Sequence, residues 1–354
     1  MSGDRSFAVH AGARAANHIR TNGLAAADIC CVPAAAGGPK GLALLALDRR
    51  LFDPAAGWLR GATLELVGAS IGAWRLAAAA MTNPLAALDR LGEAYVGQTY
   101  PHRPSPHEVA EQCRKLARAV LGDAPSIVAR PGRALSVVTA RARGALERGG
   151  TRATFARAAF ANSMSRSRLA AHLQRVVFTT GGSRFPSAAF DRFGLDRVAL
   201  DAGNSEDALL ASGSIPLLCE PVRNPEGAPR GDYWDGGLVD YHLLLPYSQL
   251  PKLVLYPHFA PHITAGWLDK FLPWRKHARA HPWLDNVLVV SPSPAMLQRL
   301  PNRKLPDRDD FYRYGLDHAG RQRDWRLAMA ESERFADEVT AWLQRPDPSL
   351  VRPL

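Results

Sequence analysis

Gly68-Ala69-Ser70-Ile71-Gly72 forms a GxSxG directly after the apolar run Thr63 to Val67 and directly before the nearly continuous apolar stretch Ile71 to Met81. In that setting a serine sits on a sharp strand-to-helix turn. Gly68 and Gly72 admit a close backbone approach, and the Ser70 hydroxyl is lifted clear of the main chain. The N-terminus of the following helix favours negative charge developing beside it. Such a residue is placed to act as an oxygen nucleophile toward a carbonyl carbon, provided a base lies within reach.

A second turn, Gly37-Gly38-Pro39-Lys40-Gly41, ends the apolar run Ile29 to Val32 and opens a helical stretch, Leu42 to Leu51. Glycines let backbone N–H groups come near a ligand oxygen. Pro39 has no N–H, so Gly37 and Gly38 are the expected donors to an oxyanion, helped by the amide of Ile71, with Lys40 adding positive charge. Each such donor is worth on the order of 3 kcal/mol to the barrier. A phosphate-cradling loop would need GxxxxGK[ST], and here Gly41 follows Lys40. A plain strand-to-helix turn is the simpler alternative. The third feature, Asp235-Gly236-Gly237, follows Tyr233-Trp234 and precedes Leu238-Val239. An acid beside two glycines can approach another backbone segment closely, although Asp-Gly is also a turn signal in its own right.

In this chain order, the Gly-rich loop, the nucleophile elbow and the Asp-Gly-Gly resemble the patatin-like phospholipase family over roughly Val32 to Leu250. The segment Ala211-Ser212-Gly213-Ser214-Ile215-Pro216, followed by Pro221-Val222, is similar to that family's approach to its acid. The resemblance implies a Ser-Asp dyad in which Asp235 activates Ser70 directly, without a histidine, and matches Gly37, Gly38 and Gly41 to the oxyanion loop. It also implies lipid acyl esters as substrates (phospholipids, lysophospholipids or acylglycerols), cleaved through an acyl-enzyme that water hydrolyses, with no cofactor. The chain departs from the family at the loop. Where the family usually has Asp-Gly-Gly-Gly, this sequence has Ala35-Ala36-Gly37-Gly38, which keeps two backbone donors and loses an acid and a glycine. Two functions follow: a lipid acyl hydrolase of the phospholipase, lysophospholipase or esterase type, and a lipid- or membrane-binding protein that keeps the fold without turnover.

An ordinary hydrolase triad would place a histidine after the acid. His242, His258 and His262 stand there, but no flanking signal supports them, and they are expected to be surface or loop histidines. The spacing of His, Cys and acids offers no metal site, so none is expected. The four cysteines, Cys30, Cys31, Cys113 and Cys219, form neither a disulfide framework nor a CxxC pair, and are expected as buried free thiols.

These residues must be held by a scaffold. Further short β-branched runs at Leu135 to Thr139, Val176 to Thr179, Val198 to Leu200, Leu253 to Tyr256 and Val287 to Val290 alternate with helical stretches. That alternation predicts a three-layer α/β fold, a mainly parallel sheet flanked by helices, with functional loops at strand ends. Ala8 to Leu24 reads as polar and helix-friendly, Tyr100 to His107 as a loop, and Arg321 to Gln344 as a helix docking Trp325, Met329, Phe335, Val339 and Trp342. Residues 1–354 are expected to form one domain, with 32–250 as the catalytic core and 251–354 supplying strands and helices that complete it.

Of the 354 residues, 47% are hydrophobic and 22% charged, the mixture of an ordinary globular chain rather than a disordered or fibrous one. No run approaches the roughly 18 apolar residues of a membrane span. Asp4, Arg5, His10 and Arg14 interrupt the N-terminus, which therefore lacks the apolar core of a secretory signal and points to the cytoplasm. The formal charge of +11 is concentrated between Arg130 and Arg184, where eleven arginines meet one acid, Glu147. A basic face of this kind would attract anionic partners, either phospholipid headgroups or nucleic acid, or would simply be solvated. No nucleic-acid motif accompanies it. From Trp267 to Trp283, Phe271, Leu272 and Trp274 interleave with Lys270, Arg275, Lys276 and Arg279. Such a segment suits peripheral contact with an anionic membrane, a flap over a pocket, or a helix docked on the core. The sequence carries no signal for a particular oligomeric state.

Overall fold

A computed structural model of the chain describes residues 4–124, 127, 129–183, 185–275 and 281–354. The chain opens with β1 (Phe7–Ala11) and α1 (Ala13–Asn22), then β2 (Ile29–Ala34) and α2 (Leu45–Phe52), the last entered through a 3-10 stretch, Gly38–Leu44. Next, β3 (Leu64–Ala69) runs into α3 (Ile71–Ala80), which is followed by α4 (Pro84–Val96) and α5 (Pro106–Leu121). After β4 (Arg133–Ala142), α6 (Arg152–Met164) and α7 (Arg166–Leu169) come β5 (Leu173–Thr179), β6 (Asp196–Ala199) and α8 (Ser205–Gly213). A short hairpin, β7 (Val222–Arg223) and β8 (Asp232–Asp235), ends in α9 (Gly237–Asp240). The remainder supplies β9 (Leu253–Pro257), β10 (Val287–Pro292), α10 (Pro294–Arg299), α11 (Asp309–Tyr314), α12 (His318–Gln344) and β11 (Val351–Pro353).

Among the described residues the strands form one mixed, mostly parallel sheet in the order β11-β1-β10-β9-β2-β3-β4-β5-β6, with β8 also on β4 and β7 on β8. The centre, β10 through β4, is parallel throughout, and its register leaves every residue of β9 and β10 buried. Strands covered on both faces read as continuous apolar runs, which is why these segments were visible in the sequence. α3 is buried on every side along its length, explaining its unbroken alanine-rich composition. A bidentate ion pair, Arg75 Nε and Nη2 to Asp48 at 2.7 and 2.8 Å, ties α3 to α2 inside the core. Across the surface of α12, Trp325, Phe335, Val339 and Trp342 are buried as the spacing predicts, with Met329 partly so.

Three expectations are corrected. Residues 8–24 are not helical throughout, because Phe7–Ala11 pairs antiparallel with β10, a partner almost 280 positions away that overrides local propensity. The stretch Tyr100 to His107 ends inside α5, whose N-terminus is closed by reciprocal bonds between Ser105 and Glu108. The arginine-rich segment is not simply a solvated face. Arg175 is fully buried, bonded to Asp240 at 2.6 and 2.9 Å and to Asp191 at 2.8 and 2.9 Å. Arg133 donates to the carbonyls of Leu59 and Ala62, and Arg166 to that of Val239. Arg184 lies outside the described residues.

All four cysteines are free, Cys31 and Cys219 buried and Cys30 and Cys113 partly so. No helix of the described residues is long and apolar enough to cross a membrane.

Candidate active site

The strand β4 acts as a ruler for the site. One of its edges pairs with β3 up to Ala69 opposite Val138, and then, from the very next residue, with β8, where Asp235 stands opposite Thr139. Two segments distant in sequence therefore abut on successive positions of one strand, and Ser70, which follows Ala69, arrives beside Asp235.

Ser70 occupies the elbow that the glycines predict. Its φ of 56° and ψ of −133° lie in a region that side chains rarely adopt, a strain held by its surroundings. A Cβ on Gly72 would stand 2.0 Å from the Ala34 carbonyl, and one on Gly68 2.5 Å from Ala73 Cα, so nothing larger than glycine fits either side. Below the turn, Ser212 Oγ accepts the Ser70 N–H at 2.9 Å and donates to the Val138 carbonyl at 2.7 Å. Ser212 thus fastens the elbow to the ruler strand. Two residues on, the Ser214 carbonyl accepts the Asp235 N–H at 2.8 Å. The segment Ala211 to Pro216 is in this way the common support of both candidate catalytic residues, and Gly213 makes room for the Trp74 ring, 2.4 Å from where its Cβ would be.

Ser70 and Asp235 are both buried, at 4% and 5% exposure. Asp235 Oδ1 accepts the Gly237 N–H at 2.7 Å, and the Ser70 side chain is near enough to favour the ionised form of the same carboxyl. Burial pushes the Asp235 carboxyl up from 3.8 to about 6, against the opposing pull of Ser70, the Arg308 charge and the Gly237 amide. A carboxylate of that basicity takes a proton more readily than an exposed one while staying largely ionised at neutral pH. Gly236 and Gly237 serve packing: a Cβ on the first would meet the Val138 carbonyl at 2.2 Å, and on the second Ala36 Cβ at 2.7 Å.

The glycine loop closes the third side. The Ala36 N–H is held by the Tyr241 carbonyl at 2.9 Å, so a backbone bond anchors this loop and that N–H is not free for a ligand. The N–H groups of Gly37, Gly38 and Ile71 find no acceptor among the described residues. Gly37 packs against the Phe259 ring, Gly38 has φ of 56°, and Gly41 gives way to Ile71 Cγ1. A cavity of about 150 Å³ lies here, lined by Gly37, Lys40 and Asp235.

A family model for patatin-like phospholipases matches residues 35–245, well over half of the chain. The chain belongs to the patatin-like phospholipase family. No curated protein matches it. Within this patatin-like frame, Gly37, Lys40, Asp235 and Gly237 of the residues singled out from the sequence line the cavity, while Ser70, Gly38, Ile71, Gly41, Gly68, Gly72 and Gly236 belong to the turns beside it.

The histidine expectation is overturned in part. His242 and His258 are buried rather than on the surface, with rings 4.3 Å apart. His242 Nδ1 accepts the Thr264 N–H at 3.0 Å and His258 Nδ1 the Ala260 N–H at 2.9 Å. Burial drives both pKa values down, that of His258 to about 3, so both rings are neutral. Neither bonds Ser70 or Asp235 among the described residues. Two further residues at the cavity, Lys270 and Arg308, come from beyond the matched segment. Lys270 stood out in the interleaved stretch, but nothing in the sequence marked Arg308. Trp267 and Lys270 line the cavity while Phe271 and Trp274 are exposed; Lys276 and Arg279 lie outside the described residues. No metal-binding cluster occurs among the described residues.

Proposed function

We propose that this protein is a lipid acyl hydrolase that cleaves carboxylic esters through a Ser70 acyl-enzyme, with Asp235 as the base. The observation that carries the reading is the abutment of β3 and β8 on β4, which sets the strained Ser70 beside a carboxylate whose pKa is raised to about 6. Asp235 accepts the Ser70 proton as Oγ attacks the ester carbon. The tetrahedral oxyanion is met by the N–H groups of Gly37, Gly38 and Ile71, preorganised donors that need no rearrangement. Asp235 passes the proton to the departing alkoxide, leaving an acyl-serine and a free alcohol. Water then gives a proton to Asp235 and its oxygen to the acyl carbon; the proton returns to Ser70 and a fatty acid leaves. Atoms balance as ester plus water to acid plus alcohol, with no cofactor.

Peripheral contact with a membrane belongs to the same proposal. Phe271 and Trp274 are 63% and 71% exposed, and α6 beside them exposes Phe160 and Met164, with Arg275 joining the two segments through the Asn162 carbonyl. An apolar patch carrying basic residues suits the headgroup boundary of an anionic bilayer. The experiment is fatty-acid release from a panel of phospholipids, lysophospholipids and short-chain esters by wild type and Ser70→Ala, with folding matched. Release that disappears in Ser70→Ala is expected. No release by the folded wild type would turn the assignment to the lipid-binding protein without turnover.

A further inference from the structure

Three cations meet at the mouth of the candidate site. Lys40 Nζ stands 5.2 Å from the centre of the Phe259 ring. Lys270 Nζ lies 4.9 Å from the Trp267 ring, 4.7 Å from Phe271 and 5.8 Å from Tyr241. The Arg308 guanidinium covers the glycine loop, its Nε 3.2 Å from where a Gly38 Cβ would be. All three line the same cavity, and none of the three side-chain cations has a hydrogen bond or a carboxylate within ion-pair distance among the described residues. Their neighbour Lys304, by contrast, is paired with Asp307 at 2.8 Å and Asp310 at 2.6 Å. Of the acids that reach the cavity, Asp235 is the proposed base, Asp307 is engaged by Lys304, and exposed Asp309 is left as a partial counterweight. The cations feel one another: Lys270 is pushed down to about 8 by burial first, then by Arg308 and Lys40. Holding like charges together, half-buried and unpaired, is costly, and the cost is relieved when an anion sits among them.

We infer that Lys40, Lys270 and Arg308 form an anion subsite that holds a phosphate or carboxylate group of the substrate next to the scissile ester. The inference rests on the acyl-hydrolase reading for what the subsite selects, but not for whether it binds. Arg308 supplies a planar fork suited to two oxygens at once, and the lysines supply point charges. Lys270 and Arg308 lie outside residues 35–245, so the matched family segment does not contain the subsite. Esters with a net negative head are therefore preferred over zwitterionic or neutral esters with the same acyl chain. A second cavity of about 490 Å³ shares Lys40, Lys270, Tyr241 and the Lys304-paired Asp307 with the first, and its further wall includes Phe259, Leu297 and Leu305 beside the polar His262 and Lys304. It leaves room for the apolar part of the same molecule on the far side of the cations.

The test is binding, by titration calorimetry on the full chain carrying Ser70→Ala so that nothing turns over. Inorganic phosphate is the first probe, followed by a soluble half-ester of a dicarboxylic acid and by short-chain phosphatidylglycerol beside phosphatidylcholine of the same acyl chains. Phosphate is expected to bind, with affinity falling about tenfold for loss of one charge-assisted hydrogen bond in Arg308→Gln and likewise in Lys270→Gln. Arg103→Gln, in an exposed loop, should leave it unchanged. Phosphatidylglycerol should bind about tenfold more tightly than phosphatidylcholine, and the two variants should erase the difference. Tighter binding of the half-ester than of the lipid would name carboxylate as the anion, and the reverse would name phosphate; either supports the subsite. Equal phosphate affinity in both variants, or no headgroup preference, overturns it. Melting curves check folding, and Lys270→Gln carries the test if Arg308→Gln does not fold. Absence of turnover in the wild type would strike the hydrolase reading alone, whereas turnover with indifferent phosphate binding would strike the subsite alone.

Discussion

Replacing Asp235 by asparagine should separate what this residue does for chemistry from what it costs the fold. The carboxyl is buried, and its pKa stands at about 6 against an ordinary 3.8. Below about pH 3.8 folded and unfolded chains both hold the proton, and the residue has no effect on pH dependence. Between 3.8 and about 6 the unfolded chain releases the proton while the folded one keeps it, so stability falls as pH rises; above about 6 the loss is complete. At 1.36 kcal/mol per pH unit the loss is about 3 kcal/mol at neutral pH and beyond. Asparagine avoids it, because it carries no charge at any of these pH values and its Oδ1 can still accept the Gly237 N–H now held at 2.7 Å. Asp235→Asn should therefore melt above wild type at pH 8, by roughly 4 °C for a chain of 354 residues with the usual unfolding entropy. The gap should close as the pH approaches 4. Turnover should fall by at least about a hundredfold, because no base remains to take the Ser70 proton. The assay pairs calorimetric melting at pH 4, 6 and 8 with ester hydrolysis at pH 8. A variant no more stable than wild type at pH 8, or stabilised equally at all three pH values, would refute the burial argument; unchanged turnover would refute the assignment of the base.

In wild type, kcat/KM should rise with pH through an apparent pKa near 6, because Asp235 must be ionised to act; a profile flat from pH 5 to 8 would contradict this. Ser212→Ala removes the acceptor of the Ser70 N–H and a donor to the Val138 carbonyl, so it should lower stability by about 1–3 kcal/mol and reduce kcat more than it raises KM, as stopped-time kinetics and urea melts would report. Asp48→Ala strands Arg75 in the core and should cost about 3–5 kcal/mol, while joint replacement of the pair by apolar residues of similar volume should cost much less; a double-mutant cycle on urea midpoints tests this.

The parts of the site that were legible in the sequence are those whose geometry demands particular residues locally. Gly68, Gly72, Gly237 and Gly38 are glycines because backbone or a side chain occupies the place of a Cβ or because φ is positive, and such demands leave a spaced pattern. The buried parallel strands were legible because two covered faces need continuous apolar runs. β1 escaped notice because its partner β10 is remote and its own residues alternate weakly. The roles of Ser212 and Ser214 were visible only as part of a family-like segment, since their bonds go to Ser70 and Asp235 across the fold. Arg308 left no trace at all: a lone arginine between two aspartates becomes meaningful only when α11 is laid against the glycine loop. His242 and His258 were misplaced for the same reason, since loop residues become core when Tyr256 and Phe259 pack around them.

That β4 meters the gap between serine and acid has a consequence for how such a chain tolerates change. The excursion from Ala142 to Asp232 leaves this strand and returns to it, held on the way by β5 along the other edge of β4 and by Ser212 and Ser214 beneath the pair. Insertions or deletions in the turns around β6, which bond neither Ser70 nor Asp235, should leave the pair in place, whereas α7 is tied to the acid's own turn through the Arg166 bond to the Val239 carbonyl. The part of the cavity wall supplied by Trp267, Lys270 and Arg308 follows β8 in sequence, so it can change without disturbing the strand that sets the serine and the acid apart.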